Sequence, residues 1–342
     1  MNICICGGGG LGHVCAGVFA SIEDVNVSIL TGKPGLWTHD VVVRACDGRV
    51  FSSHLDTVSN DPSAVIPSAD MVFFCLPGYM IEQTLRKIRP YLSKKAVVGS
   101  IVASTGFFLQ AHKLLPYNIG LFGFQRTPFI ARVEEYGHSA NLLGYKPIVH
   151  AAIENIEDKE VFKAQLERLF LTPVCLLDSF YEATLTNSNP ILHTGRLYSM
   201  WHDWNGEAYD DNILFYKEWN DAASEIVLMM DEEFMALIRK LNLSSGAVQS
   251  LPDYYGVDGV SSLTRKIASI PAFSTIKSPM ILRDGKWYPD FSSRYFTEDF
   301  PYGLSFIKEL AEQNGIHTPT IDKVLAWGMM KTSECRPVID NS

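Results

Sequence analysis

The sequence predicts an α/β domain built on a doubly wound, mainly parallel sheet, followed by a mostly α-helical domain. Three observations carry that prediction. Short, continuously apolar runs alternate with helical patterns along the first half, as in parallel sheets covered on both faces. A glycine-rich turn directly follows the first apolar run. Beyond about residue 180 the strand signal fades and amphipathic helical stretches replace it.

Taken in order, Asn2–Cys6 is an apolar run that stops at Gly7-Gly8-Gly9-Gly10-Leu11-Gly12. A helical pattern follows through Val14, Val18 and Ile22, and Val25–Leu30 reads as a second strand. Val41-Val42-Val43 and Val50-Phe51 have the look of an inserted hairpin. Met71–Leu76 is apolar throughout and closes at Pro77-Gly78, ahead of a helix from Met80 to Ile88. Ala96–Ile101 is another buried strand, and Phe107–Leu114 another helix.

With 342 residues the chain is long enough for two domains, placed at 1–180 and 181–342. Hydrophobic residues make up 47% and charged residues 20%, so large cores are expected and little disorder. A net charge of -9 argues against nucleic acid as a partner. No apolar run reaches the roughly 18 residues of a membrane span, and Met1–Cys6 lacks a basic flank that would mark a signal peptide. The seven cysteines (4, 6, 15, 46, 75, 175 and 335) show no CxxC pairing. They are expected to be buried, reduced thiols in a cytoplasmic protein, with no metal cluster.

Gly7, Gly9 and Gly12 fit G-x-G-x-x-G in its required place, after a strand and opening a helix. The first glycine permits the tight turn, the second lets backbone approach a pyrophosphate, and the third lets helix and strand pack closely. The loop Gly7, Gly9, Gly10, Leu11 and Gly12 is therefore a candidate dinucleotide site of a Rossmann domain, with the helix N-terminus meeting the phosphates. NAD sites usually carry an acidic residue about 20 positions on, to bond the ribose 2′-hydroxyl. Here that place falls near Thr31 in "SILTGKPG", with no carboxylate. Thr31 and Lys33 suit a 2′-phosphate instead, which favours NADPH over NADH; the plainer alternative is a solvated lysine and use of both cofactors. Leu76-Pro77 lies at a strand's carboxyl end, where open α/β sheets bind ligands.

In the second half, Tyr216–Leu241 reads as one long helix with a broad apolar face, and Asp231-Glu232-Glu233 as its solvated side. Shorter helices are expected at Leu263–Ser269, Gly303–Asn314 and Thr320–Met330. Two polar clusters stand out. In "NSNPILH" a helix would place Thr186, Asn189, His193 and Arg196 on one side. The plainer alternative has Asn189 capping a helix with Pro190 at its first position, His193 being incidental. In "RYFTEDFP" Thr297 or Asp299 would cap the following helix from a loop, unless Asp299 pairs with the distant histidine.

On "NPILH", "MMDEEFMALIRKLNL", "RYFTEDFPYGL", "GIHTPTID" and the glycine-rich start, the chain resembles the opine dehydrogenase family of octopine/nopaline type. The resemblance spans nearly the whole chain. It implies NAD(P)H-dependent reductive condensation of an α-keto acid, typically pyruvate, with the amino group of an amino acid. It further implies that His193 is the catalytic histidine, Asp299 its paired carboxylate and Asn189 a lining residue of the substrate site. It permits a homodimer. Histidine titrates where such proton transfers run, and a carboxylate beside it sets its tautomer. Two substrate carboxylates call for arginine forks, and Arg126, Arg132 and Arg294 are the candidates. The acidic stretch from Trp201 to Asn212 departs from the family's commoner pattern and is either part of an amine pocket or exposed surface. Competing readings are a ketopantoate-reductase-like or other 2-keto/hydroxy acid dehydrogenase, and a non-catalytic dinucleotide sensor.

Overall fold

The computed structural model describes residues 1–334 apart from Ser245. They form two compact units, the first running from Met1 to Thr184 and the second starting at Leu185. Cys335 lies outside the described residues.

The first unit is built on β1 (Asn2–Cys6), β2 (Asn26–Leu30), β3 (Asp40–Ala45), β4 (Val50–His54), β5 (Thr57–Ser59), β6 (Met71–Phe74), β7 (Val97–Ser100), β8 (Gly120–Phe124), β9 (Phe129–Glu135), β10 (Ser139–Tyr145), β11 (Val149–Glu154) and β12 (Val174–Leu176). Eight of these make one sheet in the order β12-β11-β8-β7-β6-β1-β2-β5. All neighbours in it are parallel except β8 and β11. The chain reverses its direction of winding between β1 and β6, so the loops after those two strands open the crevice where such sheets take ligands. Helices α1 (Gly10–Ala20), α2 (Pro62–Val65), α3 (Gly78–Ile88), α4 (Phe107–Leu114) and α5 (Lys159–Phe170) cover the sheet, and α6 (Phe180–Leu185) follows β12. This is the doubly wound, mainly parallel Rossmann architecture the apolar runs predict. Central strands β6 and β8 are buried at every residue, because helices cover both faces.

A second sheet, β4-β3-β10-β9, was only half foreseen. The β3–β4 hairpin is there, but it pairs through β3 with the β9–β10 hairpin. In β9 (FIARVEE) the buried positions alternate with exposed ones at its start, so no continuous apolar run announces the strand. This small sheet packs on α1, where Ser53 Oγ donates to the Gly17 carbonyl at 2.6 Å.

Among the thiols, Cys4, Cys6 and Cys15 are buried, Cys75 is half-buried, and all four are free. Cys46 and Cys175 are exposed, against the expectation of uniformly buried thiols; they sit beyond β3 and on the edge strand β12. Hydrogen bonding to Cys4 and burial push the Cys6 thiol up, and contact with Cys15 does the same for Cys75, so neither supplies a ready thiolate. No helix among the described residues is long and apolar enough to cross a membrane.

The second unit contains α7 (Asn189–Trp201), α8 (Asp221–Leu241), α9 (Leu251–Tyr255), α10 (Val260–Ala268), a hairpin of β13 (Met280–Arg283) and β14 (Lys286–Pro289), a π-helical segment at Tyr295–Leu304, α11 (Ser305–Gln313) and α12 (Pro319–Glu334). Three expectations need correction. The long helix starts at Asp221 rather than Tyr216, because the Asn220 side chain caps it by accepting from Ala223 N–H at 3.0 Å. Asn189 is not a cap: Ser188 precedes the helix, Asn189 is its first residue and Thr186 lies outside it. The acidic run in α8 is a solvated face only at Glu232, which is exposed. Asp231 is buried and accepts from Leu251 N–H at 3.0 Å, while Glu233 takes the N–H groups of Thr320 and Ile321 at 2.8 and 2.9 Å. These carboxylates serve as caps for α9 and α12, satisfying donors that the helices' own first turns leave open.

Burial pushes the Asp231 carboxyl up to about 6, and Asp253 nearby adds to the shift. A carboxyl raised in the fold favours the native state at low pH and loses that contribution as pH rises through the raised value. Stability is therefore expected to fall by up to about 3 kcal/mol between roughly pH 4 and pH 6 from this group. Asp231→Asn keeps an acceptor for Leu251 and should flatten that window. Urea unfolding across pH in both forms checks it.

Candidate active site

The first unit's site grows from backbone. Gly7 has a φ of +119°, and a Cβ there would come within 2.5 Å of the Cys75 carbonyl oxygen. A Cβ on Gly12 would overlap the Gly7 carbonyl oxygen. The turn therefore closes only with glycine at both positions. Gly9, which precedes α1 with no side-chain cap, is different: a Cβ there would meet nothing within 4 Å. Its missing side chain serves no contact in the protein, which leaves open space above the uncapped N–H groups of the helix. Open space at an uncapped helix N-terminus is the arrangement with which glycine-rich turns of such sheets meet a pyrophosphate.

A cavity of about 340 Å³ adjoins it, lined by Gly7, Gly8, Thr31, Lys33, Leu76 and Lys87 among others. No acidic residue is among its described lining residues. Thr31 is buried, Lys33 lies 5.8 Å from the Tyr136 ring centre, and Lys87 Nζ bonds the Asn60 carbonyl at 2.6 Å. Leu76 lines the cavity; Pro77 directly precedes α3. Gly10 and Leu11 open α1, and a Cβ on Gly10 would come within 2.9 Å of the Ala131 carbonyl oxygen, so packing against β9 selects that glycine.

His13, Tyr136 and Lys87 did not stand out in the sequence. His13 is buried beneath the loop, with Nδ1 2.9 Å from the Gly9 carbonyl and Nε2 accepting from Gly137 N–H at 2.7 Å. Burial lowers its pKa, which suits a neutral ring bonded in both directions. Trp37 stacks on it at 4.1 Å.

The second unit's site grows from side chains. Helix α7 begins with Pro190 in its first turn and is buried along most of its length, His193 included. His193 Nδ1 lies 2.8 Å from Asp299 Oδ2, although 106 residues separate them. Asp299 is not a cap in a loop; it sits in the π-helical segment Tyr295–Leu304. Pro301 within that segment has no N–H to give, and a wider turn accommodates the interruption. Gly303 lets the segment lie against the start of α7, since a Cβ there would approach Pro190 Cγ to 2.7 Å.

The other ring nitrogen, Nε2, is 2.7 Å from the Tyr216 hydroxyl. Tyr295 packs on the ring at 4.9 Å. Arg196, one turn along α7, is buried and donates to the Phe215 carbonyl at 3.1 Å and the Glu218 carbonyl at 2.8 Å. Burial draws its pKa down to about 10, which still leaves it charged at neutral pH. Arg196 thereby pins the stretch that presents Tyr216. No local pattern marked Tyr216, which lies 23 residues from His193 in sequence.

Asn189 is exposed at the first position of α7, and Arg294 is exposed just before the π-helical segment, five positions ahead of Asp299. Arg126 and Arg132 lie in the first unit, both exposed; Arg132 Nη1 donates to the Ala131 carbonyl at 3.0 Å. In the acidic stretch from Trp201 to Asn212, Asp210 pairs with Lys286 and Tyr209 bridges to Trp287, so this stretch attaches to the β13–β14 hairpin. Among the described residues no group of three or more His, Cys, Asp or Glu is arranged to hold a metal ion.

Residues 176–332 match the family model described as NAD/NADP octopine/nopaline dehydrogenase, alpha-helical domain. The opine dehydrogenase of Haliotis discus hannai is 26% identical over 96% of this chain and 89% of its own. The tauropine dehydrogenase of Arabella iricolor is 27% identical over 94% of this chain and 89% of its own. A solved octopine dehydrogenase with NADH and L-arginine shares the fold, with a TM-score of 0.85 and 24% identity over 97% of this chain and 90% of that one. A Rossmann unit followed by this helical domain is the layout of an NAD(P)-dependent oxidoreductase. The second half of the chain thus matches the helical domain of the octopine/nopaline dehydrogenases, and the chain is similar to opine dehydrogenases along nearly its whole length.

Two glycines separate binding from packing. Gly9→Ala should leave the melting temperature unchanged yet weaken dinucleotide binding by about tenfold or more, because its Cβ enters the pyrophosphate's space. Gly12→Ala should lower the melting temperature itself. Calorimetry and fluorescence titration with NADPH and NADH check both.

Proposed function

We propose that the protein is an opine dehydrogenase that joins an α-keto acid, pyruvate, to the amino group of an amino acid and reduces the product, or runs the reverse oxidation. The observation that carries this reading is the part-buried His193–Asp299 pair within the segment that matches the family's helical domain. The keto acid carbonyl and the amine combine and lose water to give an imine. Reduced nicotinamide, when bound, supplies the hydride that turns the imine into a secondary amine dicarboxylate.

His193 is the acid–base group of this scheme. Asp299 accepts from Nδ1–H and stabilises the imidazolium formed when Nε2 takes a proton, so the ring passes protons through Nε2. Arg294, in the same unit and close in sequence to Asp299, is the favoured partner for a substrate carboxylate, since a guanidinium fork binds one through two parallel hydrogen bonds. Asn189 is assigned to the substrate side of the start of α7, and Arg126 and Arg132 remain candidates for the second carboxylate.

The cofactor is NAD(P)H, and NADPH is the preferred form in this proposal. A cavity with Thr31, Lys33 and Lys87 along its lining and no carboxylate suits a 2′-phosphate. The free thiols suit a reducing cytoplasm.

The test is NADPH and NADH oxidation with pyruvate and single amino acids, with mass analysis of the product. A new secondary amine is expected. Reduction that ignores the amine would mark a keto acid reductase, and binding without turnover would mark a sensor; either ends the proposal. His193→Ala should lower turnover by roughly 10²–10⁴-fold while leaving the cofactor dissociation constant nearly unchanged. Lys33→Ala should weaken NADPH about tenfold or more and NADH little, the size expected for one charge-assisted contact.

A further inference from the structure

A His–Asp pair normally leaves the second imidazole nitrogen facing its substrate. Here that nitrogen is engaged by the protein, since the Tyr216 hydroxyl lies 2.7 Å from Nε2. The roles in this bond follow from the surroundings. Asp299 has only acceptor oxygens when ionised, so Nδ1 carries the hydrogen at its 2.8 Å contact. Burial drives the Tyr216 phenol well above its ordinary range, with Tyr295, Tyr255 and Asp299 adding to the effect, so it keeps its proton. A protonated hydroxyl beside a bare ring nitrogen donates to it.

Tyr216 is also held in place. Its ring stacks on Phe273 at 4.5 Å, and it lies nearly parallel to Trp219 at 6.2 Å. The carbonyls of Phe215 and Glu218, on either side of it, accept from the buried Arg196 guanidinium. A group fixed by two stacked rings and two charge-assisted hydrogen bonds does not drift away from Nε2.

We propose that Tyr216 is a positioning residue of the proton-transfer site, whose hydroxyl holds neutral His193 as the Nδ1–H tautomer and opposes uptake of the second proton. Two facing groups act on the ring in opposite directions. Asp299 favours the imidazolium, whereas donation from Tyr216 favours the neutral ring; Tyr295 and Phe215 pack against it without a charge. When Nε2 becomes protonated, the same hydroxyl must turn from donor to acceptor. A substrate oxygen reaches Nε2 only by displacing this hydroxyl or by bonding through it. The consequence for turnover rests on His193 being the acid–base group proposed above; the tautomer does not.

The experiment compares the full-length protein with Tyr216→Phe, which keeps the stacked ring and removes only the hydroxyl. Nitrogen-15 NMR reads the His193 tautomer directly, with His193→Asn identifying the signal. The expected result is Nδ1–H in the parent and mixed tautomers in Tyr216→Phe. The imidazole titration should move upward by about 0.5–1 pH unit, as loss of one neutral hydrogen bond to the uncharged form dictates. The acid limb of kcat/KM for opine oxidation should move by the same amount, with the melting temperature held. An Nε2–H tautomer in the parent overturns the proposal. So does a variant whose tautomer and pH limb are unmoved, even if kcat falls, because that pattern belongs to a purely structural tyrosine. The NMR result stands or falls without any opine being made, so it separates this proposal from the functional one.

Discussion

The contact between His193 and Asp299 costs desolvation of an imidazole and a carboxylate, and the second unit is organised so that this cost is met. Neither group is left with an unmatched polar atom where they touch. The contact spans 106 residues, and its geometry depends on features spread across the unit. Pro190 and the buried length of α7 set the histidine, while the π-helical segment sets the carboxylate and Gly303 lets the two approach. Arg196 uses its two bonds to backbone carbonyls to close the third side with Tyr216. A buried polar group is tolerable only when such partners are complete, which is why so many elements converge on one ring.

The first unit solves a different problem with different means. Its glycine loop presents backbone N–H groups, so what matters is the absence of side chains and the direction of a helix. Gly7 and Gly12 answer to the turn itself, whereas Gly9 answers to space that the protein does not use. Beneath the loop, His13 ties the Gly9 carbonyl to the Gly137 N–H, so the β9–β10 turn supports the glycine loop from below. The glycine loop of the first unit and the His193–Asp299 contact of the second are therefore built by unlike chemistry.

The errors in reading the sequence have physical causes. Asp231 and Glu233 looked solvated because a charge run on a helix usually is, yet both face helix N-termini whose open donors cannot be seen from their own neighbourhood. Tyr216 seemed to belong to the long helix because its aromatic neighbours match the apolar periodicity; Asn220 stops the helix short. The half-buried strands β9 and β10 offered no continuous apolar run, unlike β1, β6 and β8.

The sequence by itself determined the parallel sheet, the glycine turn and the lack of a carboxylate near Thr31. Each of these is local: continuous apolar runs, spacing of glycines, or residues contained in one short segment. Tertiary structure alone decided that Nε2 of His193 meets Tyr216, that Arg196 holds the chain there, and that His13 props the glycine loop. Those contacts join side chains from separate elements, and their existence depends on packing distances that no periodicity along the chain encodes.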